Sequence, residues 1–511
     1  MICSNVEKLT ELLKITAARI PSLAVRVLII LDLGLLLSTD CAAEDSPTSP
    51  QSLTDRYAEQ TAVFKEQIEG LARECKADQQ LALAERIERF YPKPVSDALF
   101  LFRPSDDFLI SPATPEAETF RTLRREHGTF LVRLAQEAAA AGNAGMAIPL
   151  LYEALYCDGN LAKARQILGQ KKLAGKWVSL ETAARINRGE IWSQEYGWLS
   201  ENALDRYKQG ERLYRGKWIS EKEDIRRHRQ MRNGWKVETD HYEVTTNLSL
   251  QAGVKLAQEL EAFYNVWSQL FAGYYFSSQL LEKQVLQTND PPVNRKKYKV
   301  HYFRNRAEYD LALARIQPGI SGKTLGVYIE KIKTAYFFAP AEDNKEEESL
   351  SQITIWHEAT HQLFAERIAT RKVSGLKNNF WIVEGIACFM ETLHQEEQGW
   401  RLGGPMAGRL AAARIRLERD HFYVPFAEMV TLGAKAMLSN PQYRTLYTQA
   451  AGQAAFLMTA RHGRFRQTAI EYLRRVYRGQ AKLGTLALLT GIPLTTLDRD
   501  YREFLFQPRA R

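Results

Sequence analysis

The stretch Ile355-Trp356-His357-Glu358-Ala359-Thr360-His361-Gln362-Leu363-Phe364 decides how this chain is read. Apolar residues flank its polar centre, so it is expected to form a helix that packs on a core. Residues four apart on a helix lie on one face, one turn apart, so the His357 and His361 imidazoles can reach the same ion. Glu358, beside the first histidine, can touch a water held by that ion. This is how a helix builds a hydrolytic zinc site. Structural histidines are the plain rival, and a second segment has to decide between them.

That segment is Asn379-Phe380-Trp381-Ile382-Val383-Glu384-Gly385-Ile386-Ala387-Cys388-Phe389-Met390-Glu391. A catalytic zinc takes three protein ligands and keeps one position open. Glu384 lies far enough past His361 for the first helix to end and a second to return. The loop between them, at 372–379, contains the turn-forming pairs Ser374-Gly375 and Asn378-Asn379. An unpaired carboxylate among Trp381, Ile382, Val383, Ile386 and Phe389 is costly, and a bound cation would explain it. The competing reading is a carboxylate favoured by the dipole at a helix N-terminus. Glu391, two turns later, shares a helix face with Glu384, with a solvated surface acid as its rival reading. Cys388 reads as a small core residue rather than a ligand.

Together, HExxH followed by W-x-x-E-G-x-A-x-x-x-E resembles the gluzincin metallopeptidases, the aminopeptidase-N-like and thermolysin-like group, and within that clan secreted bacterial proteins of unknown function. The likeness covers about Trp235 to Phe506 and is motif-specific only at residues 355–391. The loop between the two helices is longer than in the aminopeptidase-N-like pattern. Carried over position by position, the resemblance implies that His357, His361 and Glu384 hold one Zn2+ per chain. It also implies that Glu358 is the general base and that Glu391 orients a ligand histidine. Tyr447, opening Tyr447-Thr448-Gln449-Ala450-Ala451-Gly452, is similar to the tyrosine that steadies the oxyanion in aminopeptidase-like members. Its glycine comes later and the usual lysine is missing; Tyr443 is an equal rival, and a core or surface tyrosine is the plain reading. The implied architecture is a small mixed sheet packed on the HExxH helix, then a helical lobe. Leu325–Lys331 is the candidate edge strand for aligning substrate by main-chain pairing.

The 511 residues, 45% hydrophobic and 25% charged, suit a globular protein of two or three domains. A formal charge of +9 is mild for this length. The densest basic run, Arg226-Arg227-His228-Arg229, follows Glu221, Glu223 and Asp224, so it reads as a solvated helix and no nucleic acid is expected as a partner. Near the start, Val27–Leu37 is apolar but for Asp32, with Lys8, Lys14, Arg19 and Arg26 before it and Cys41-Ala42-Ala43 after. It is too short to span a bilayer comfortably, so 1–43 is read as a signal peptide. Export to the periplasm, cell surface or medium follows, with no stable membrane span after cleavage; an uncleaved anchor or a buried helix is the alternative. Asp40 before Cys41 argues against lipoprotein processing. Cys75, Cys157 and Cys388 would remain, too few for a disulfide framework.

A linker is expected at 44–53 and a helical region with tetratricopeptide-like hairpins at 54–170, its turns at Gly142–Gly145 and Asp158-Gly159-Asn160. In a connecting region at 171–234, Gly175-Lys176-Trp177-Val178-Ser179 recurs as Gly216-Lys217-Trp218-Ile219-Ser220. A tryptophan under a turn before a capped helix explains the recurrence. A sugar-contacting module is the alternative, weakened because Trp192, Trp198 and Trp235 are irregularly spaced. The catalytic sheet and zinc helices occupy 235–400. Trp235–Thr246 reads as a strand pair or one long strand, Leu248–Phe271 as a helix, Tyr298–Phe303 as a strand and Arg306–Ile316 as a helix. Leu325–Lys331 and Thr334–Phe338 read as strands and Ala341–Glu348 as an acidic loop. A helical lobe fills 401–511. The fold class is α+β, mainly α.

These readings lead to an exported zinc metallopeptidase acting on a peptide or protein. An endopeptidase is preferred, because the glycine-rich strand motif that reads a free amino terminus in aminopeptidases is absent before residue 357. The alternative is a catalytically silent peptidase-like scaffold, with the N-terminal helical region holding a protein partner. The intact Glu358 argues against it.

Overall fold

Pro115 and Thr114 show how this chain starts its helices: the Thr114 hydroxyl accepts the Ala117 N–H at 3.3 Å while proline fills the first helical position. In the computed structural model, which describes residues 52–105, 113–287, 296–341, 344–368 and 375–506, the fold is α+β and mainly α. The expected signal peptide and nearly all of the linker lie outside these residues, as does part of the loop at 372–379. The N-terminal helices are α1 (Leu53–Ala77), α2 (Leu81–Glu88), α3 (Pro115–Ala140), α4 (Ala144–Cys157) and α5 (Ala162–Ile167), packed around Phe64, Leu131, Leu151 and Leu155. One part of this region departs from the helical reading. After Pro92 and Pro94, Ala98–Phe102 forms a strand, β1, with alternating burial.

Residues 169–228 hold three hairpin–helix units rather than two isolated motifs. These are β2 (Gln170–Leu173), β3 (Lys176–Ser179) and α6 (Leu180–Ile186); β4 (Glu190–Ser193), β5 (Gly197–Ser200) and α7 (Leu204–Lys208); β6 (Glu211–Tyr214), β7 (Lys217–Ser220) and α8 (Glu221–His228). Trp177, Trp198 and Trp218 take the same place in each. Arg185, from the first unit's helix, lies 5.3 Å over Trp198 and 3.0 Å from Glu190 of the second. Arg206 repeats the arrangement, 4.0 Å over Trp218 and 2.6 Å from Glu211. Trp177, Trp198 and Trp218 are thus regularly spaced, unlike Trp192 and Trp235, and the faces of Trp198 and Trp218 stack on arginines that link consecutive units.

Beyond them lies a mixed five-stranded sheet in the order β11-β12-β10-β9-β8. Its strands are β8 (Trp235–Glu238), β9 (Tyr242–Thr246), β10 (Tyr298–Phe303), β11 (Gly326–Ile329) and β12 (Thr334–Phe338). β9, β10 and β12 run parallel, and β8 and β11 are antiparallel to their neighbours. Helix α9 (Leu250–Leu270) makes the crossover from β9 to β10, α10 (Arg306–Ile316) follows β10, and α11 (Lys345–Arg367) carries the histidines. On the covered face of the sheet, Val244, Val300 and Phe337 share a core with Phe263 of α9 and Trp356 of α11, whose rings stack at 4.7 Å. Of the run Ala341–Glu348 expected as an acidic loop, Lys345–Glu348 is instead the first turn of α11, while 342 and 343 lie outside the described residues. Asn344 caps it by accepting the Glu347 N–H at 3.1 Å, and Glu346, Glu347 and Glu348 suit the positive end of the helix dipole.

Helix α12 (Phe380–Met390) returns under α11, and β13 (His394–Gln395) and β14 (Gly399–Gly403) follow. β14 pairs with β1, Leu99 opposite Leu402, which brings Leu99 and Leu101 into the core around the histidine helix. The lobe after it contains α13 (Gly408–Arg419), α14 (Tyr443–Gly463), α15 (Arg466–Tyr477) and α16 (Leu494–Phe506). Leu53–Arg511 forms one compact unit, and the expected boundaries at 170 and 400 fall within β2 and β14. Among the described residues no helix is long and apolar enough to cross a membrane.

Candidate metal centre

Helix α11 is brought against the sheet edge by a residue without a side chain. A Cβ on Gly326 of β11 would sit 2.7 Å from Thr354 and 2.8 Å from Phe337. The close approach lets the Glu358 carboxylate accept the Tyr328 backbone N–H at 2.8 Å. Gly385 does the same for α12 and α14, since a Cβ there would meet the Ala450 carbonyl oxygen at 2.5 Å. That crossing sets Tyr447, one turn before Ala450 and Ala451, beside Glu384. At the start of α12, Asn379 is fully buried at φ +58°, a conformation asparagine tolerates. It is pinned there by the Tyr472 hydroxyl on Oδ1 at 2.5 Å and by its own N–H on the Val430 carbonyl at 3.0 Å.

These two helices bring three donors to one point. His361 Nε2 is 3.1 Å from His357 Nε2, and Glu384 Oε2 lies 3.3 Å from the first histidine's Nε2 and 3.5 Å from the second's. Zinc bonds of about 2.0–2.1 Å at tetrahedral angles place ligand atoms roughly 3.3 Å apart, so the set fits a zinc ion. Behind the donors, Glu391 Oε1 accepts the His357 Nδ1–H at 2.8 Å and its Oε2 accepts from Arg409 Nε at 2.9 Å. His357 is thus held with Nε2 turned toward the other donors. Cys388, His357 and Glu391 form a second cluster of donor atoms. Burial pushes the Cys388 thiol up, away from the thiolate a metal needs, and Glu391 is already committed to His357 and Arg409.

The charges follow from this crowding. Burial opposes charge on Glu384, but His361 and His357 outweigh it and hold the carboxyl well below the usual range. Burial likewise opposes charge on His357, and hydrogen bonds to Cys388, Glu384 and Glu391 still raise it well above an ordinary histidine. Glu358 goes the other way: burial raises its pKa despite both histidines. Tyr447 is pushed far up by burial and then by Glu384, Cys388 and Glu358, so its hydroxyl stays protonated. Tyr443 differs, being exposed at the lobe surface with its hydroxyl accepting the Arg444 Nε–H at 3.1 Å.

The structure therefore gathers His357, Glu358, His361, Glu384, Glu391 and Tyr447 and leaves Tyr443 outside. Arg409 is the residue the sequence reading lacked. It sits on α13, beyond the motif and β14, and no local pattern ties it to Glu391. No protein-family model matches the chain, and no curated protein sequence matches it either.

Proposed function

We propose that the protein is an exported zinc-dependent metallopeptidase of the gluzincin type, and an endopeptidase. The observation that carries this reading is the meeting of His357 Nε2, His361 Nε2 and Glu384 Oε2 at tetrahedral spacing, with Glu358 on the same helix. A zinc ion held there would polarise a scissile carbonyl and acidify water toward neutral pH. Glu358, one oxygen fixed by the Tyr328 N–H, takes the proton of the attacking water and passes it to the leaving amine. Its raised pKa makes it a better base for taking that proton. The protonated Tyr447 hydroxyl donates to the oxygen that gains charge as the carbonyl is attacked. Glu391 keeps the His357 ring oriented. β11, at the end of the sheet, would pair with an extended peptide through outer backbone groups other than the Tyr328 N–H, which Glu358 accepts.

The endopeptidase reading rests on the absence, before residue 357, of the glycine-rich strand motif that reads a free amino terminus in aminopeptidases. The test is metal content of wild type beside Glu384→Ala, with cleavage of casein and peptide pools by the same samples. About one zinc per chain, lost in the variant, with chelator-sensitive cleavage is the expected result. Glu358→Gln should keep its zinc and lose about 100- to 10,000-fold in rate. Zinc without cleavage would favour the scaffold reading, and wild type without zinc after metal loading would end the metallopeptidase reading.

A further inference from the structure

We propose that a hollow where the N-terminal helices and the first hairpin unit meet the last turn of α11 binds a small zwitterion, an α-amino acid or short peptide, between Arg367 and Asp240. It measures about 210 Å3, the share of about seven waters. Its walls include Ile148, Leu168, Leu180 and Phe276, and its charged lining is Glu181, Asp240 and Arg367 beside the His241 imidazole. His241 is committed to Glu261, and Glu181 to Lys297.

Arg367 and Asp240 are left. The Arg367 guanidinium lies 4.5 Å over the Tyr275 ring and bonds the Tyr298 hydroxyl, with no carboxylate at ion-pair distance among the described residues. The Asp240 carboxylate accepts the Thr182 hydroxyl at 3.2 Å and likewise has no cation at that distance among the described residues. Lys297 passes it by, bonding the Thr239 and Asp240 carbonyls instead. Two opposite charges that share a partly buried hollow without meeting each other each bear a desolvation cost. A ligand carrying both charges relieves the two costs together. The planar guanidinium fork suits a carboxylate, the aspartate suits an ammonium, and the aliphatic walls suit an apolar side chain.

The site is independent of the peptidase reading, and so is its test. Calorimetric titration of the full chain with leucine, at constant ionic strength, should show one site in wild type, in chelator-treated protein and in Glu358→Gln alike. Acetate and methylammonium, each with half the charge pattern, should bind at least about ten-fold more weakly. Arg367→Gln and Asp240→Asn should each cost about ten-fold or more, and Leu280→Trp, which fills the hollow and leaves both charges, should abolish binding. Unfolding midpoints check that each variant is folded. No heat from leucine at about 10 mM (about ten thousand times a micromolar protein sample), acetate binding as tightly as leucine, or undiminished binding in folded Arg367→Gln would each overturn the proposal.

Discussion

Glu384 on α12 and Glu153 on α4 are buried to nearly the same extent, 6% and 5% exposed, yet their surroundings treat them in opposite ways. Glu384 faces two imidazoles and is held ionised. Glu153 accepts from the Tyr57 hydroxyl at 2.9 Å and the Tyr91 hydroxyl at 3.3 Å, and burial pushes it up to about 7 against those bonds. Burial sets the cost of a carboxylate, and its neighbours decide whether it becomes a charged donor or a neutral acid. The signs follow. Glu384's contribution to stability is present above the usual carboxylate range and lost on acidification. Glu153's is fully present below about pH 4.5 and lost as pH rises to about 7.

The comparison breaks most visibly at the metal. Glu384→Gln should cost zinc affinity well beyond the roughly 10- to 100-fold typical of a supporting residue, whereas Glu153→Gln should leave it unchanged. Equal zinc loss in both, measured by competition with a chromogenic chelator, would mean that fold damage rather than ligation is being read.

Glu153→Gln sharpens the other side. A shift from 4.5 to about 7 corresponds to about 3 kcal/mol of stability lost by wild type between those pH values. His127 works against this slope: burial and Lys65 lower it to about 4, so its contribution grows as pH rises from 4 to 6.5. The difference between variant and wild type isolates Glu153. Across urea unfolding at pH 5 to pH 8, that difference should move in the variant's favour by about 2–3 kcal/mol. A difference that stays level would show that Glu153 is ionised throughout.

Local sequence does not separate these two carboxylates, since each stands in an apolar helix, Glu153 within Leu150-Leu151-Tyr152-Glu153-Ala154-Leu155. What separated them was His357 and His361, because a metal needs particular donor atoms and few residues supply them. The strands β8 to β12 were legible for a similar reason: their period is local. β1 was not, because the strand that pairs with it, β14, lies hundreds of residues away and only that pairing makes it a strand. The middle hairpin unit escaped because its hairpin is one residue longer and keeps the tryptophan without the preceding Gly-Lys. Its Arg185 and Arg206 contacts are spatial rather than sequential. Arg409 was hidden likewise, its contact with Glu391 depending on how α13 folds back.

Glu391 stands between the two extremes and gives the smallest effect. It is a buried carboxylate like the others, but its charge is shared between His357 and Arg409, which together lower its pKa against burial. Glutamine in its place can accept from only one of them. With its oxygen on His357 Nδ1, its amide N–H groups face the Arg409 Nε–H, donor against donor. Glu391→Gln should therefore weaken zinc binding by about 10- to 100-fold, less than Glu384→Gln. Arg409→Gln in the same chain removes the opposing donor and should restore part of that loss, a coupling of about 0.5–3 kcal/mol in a double-mutant cycle on zinc affinity. If the two losses simply add, Arg409 does not act through Glu391, and the His357 ring is held by packing alone.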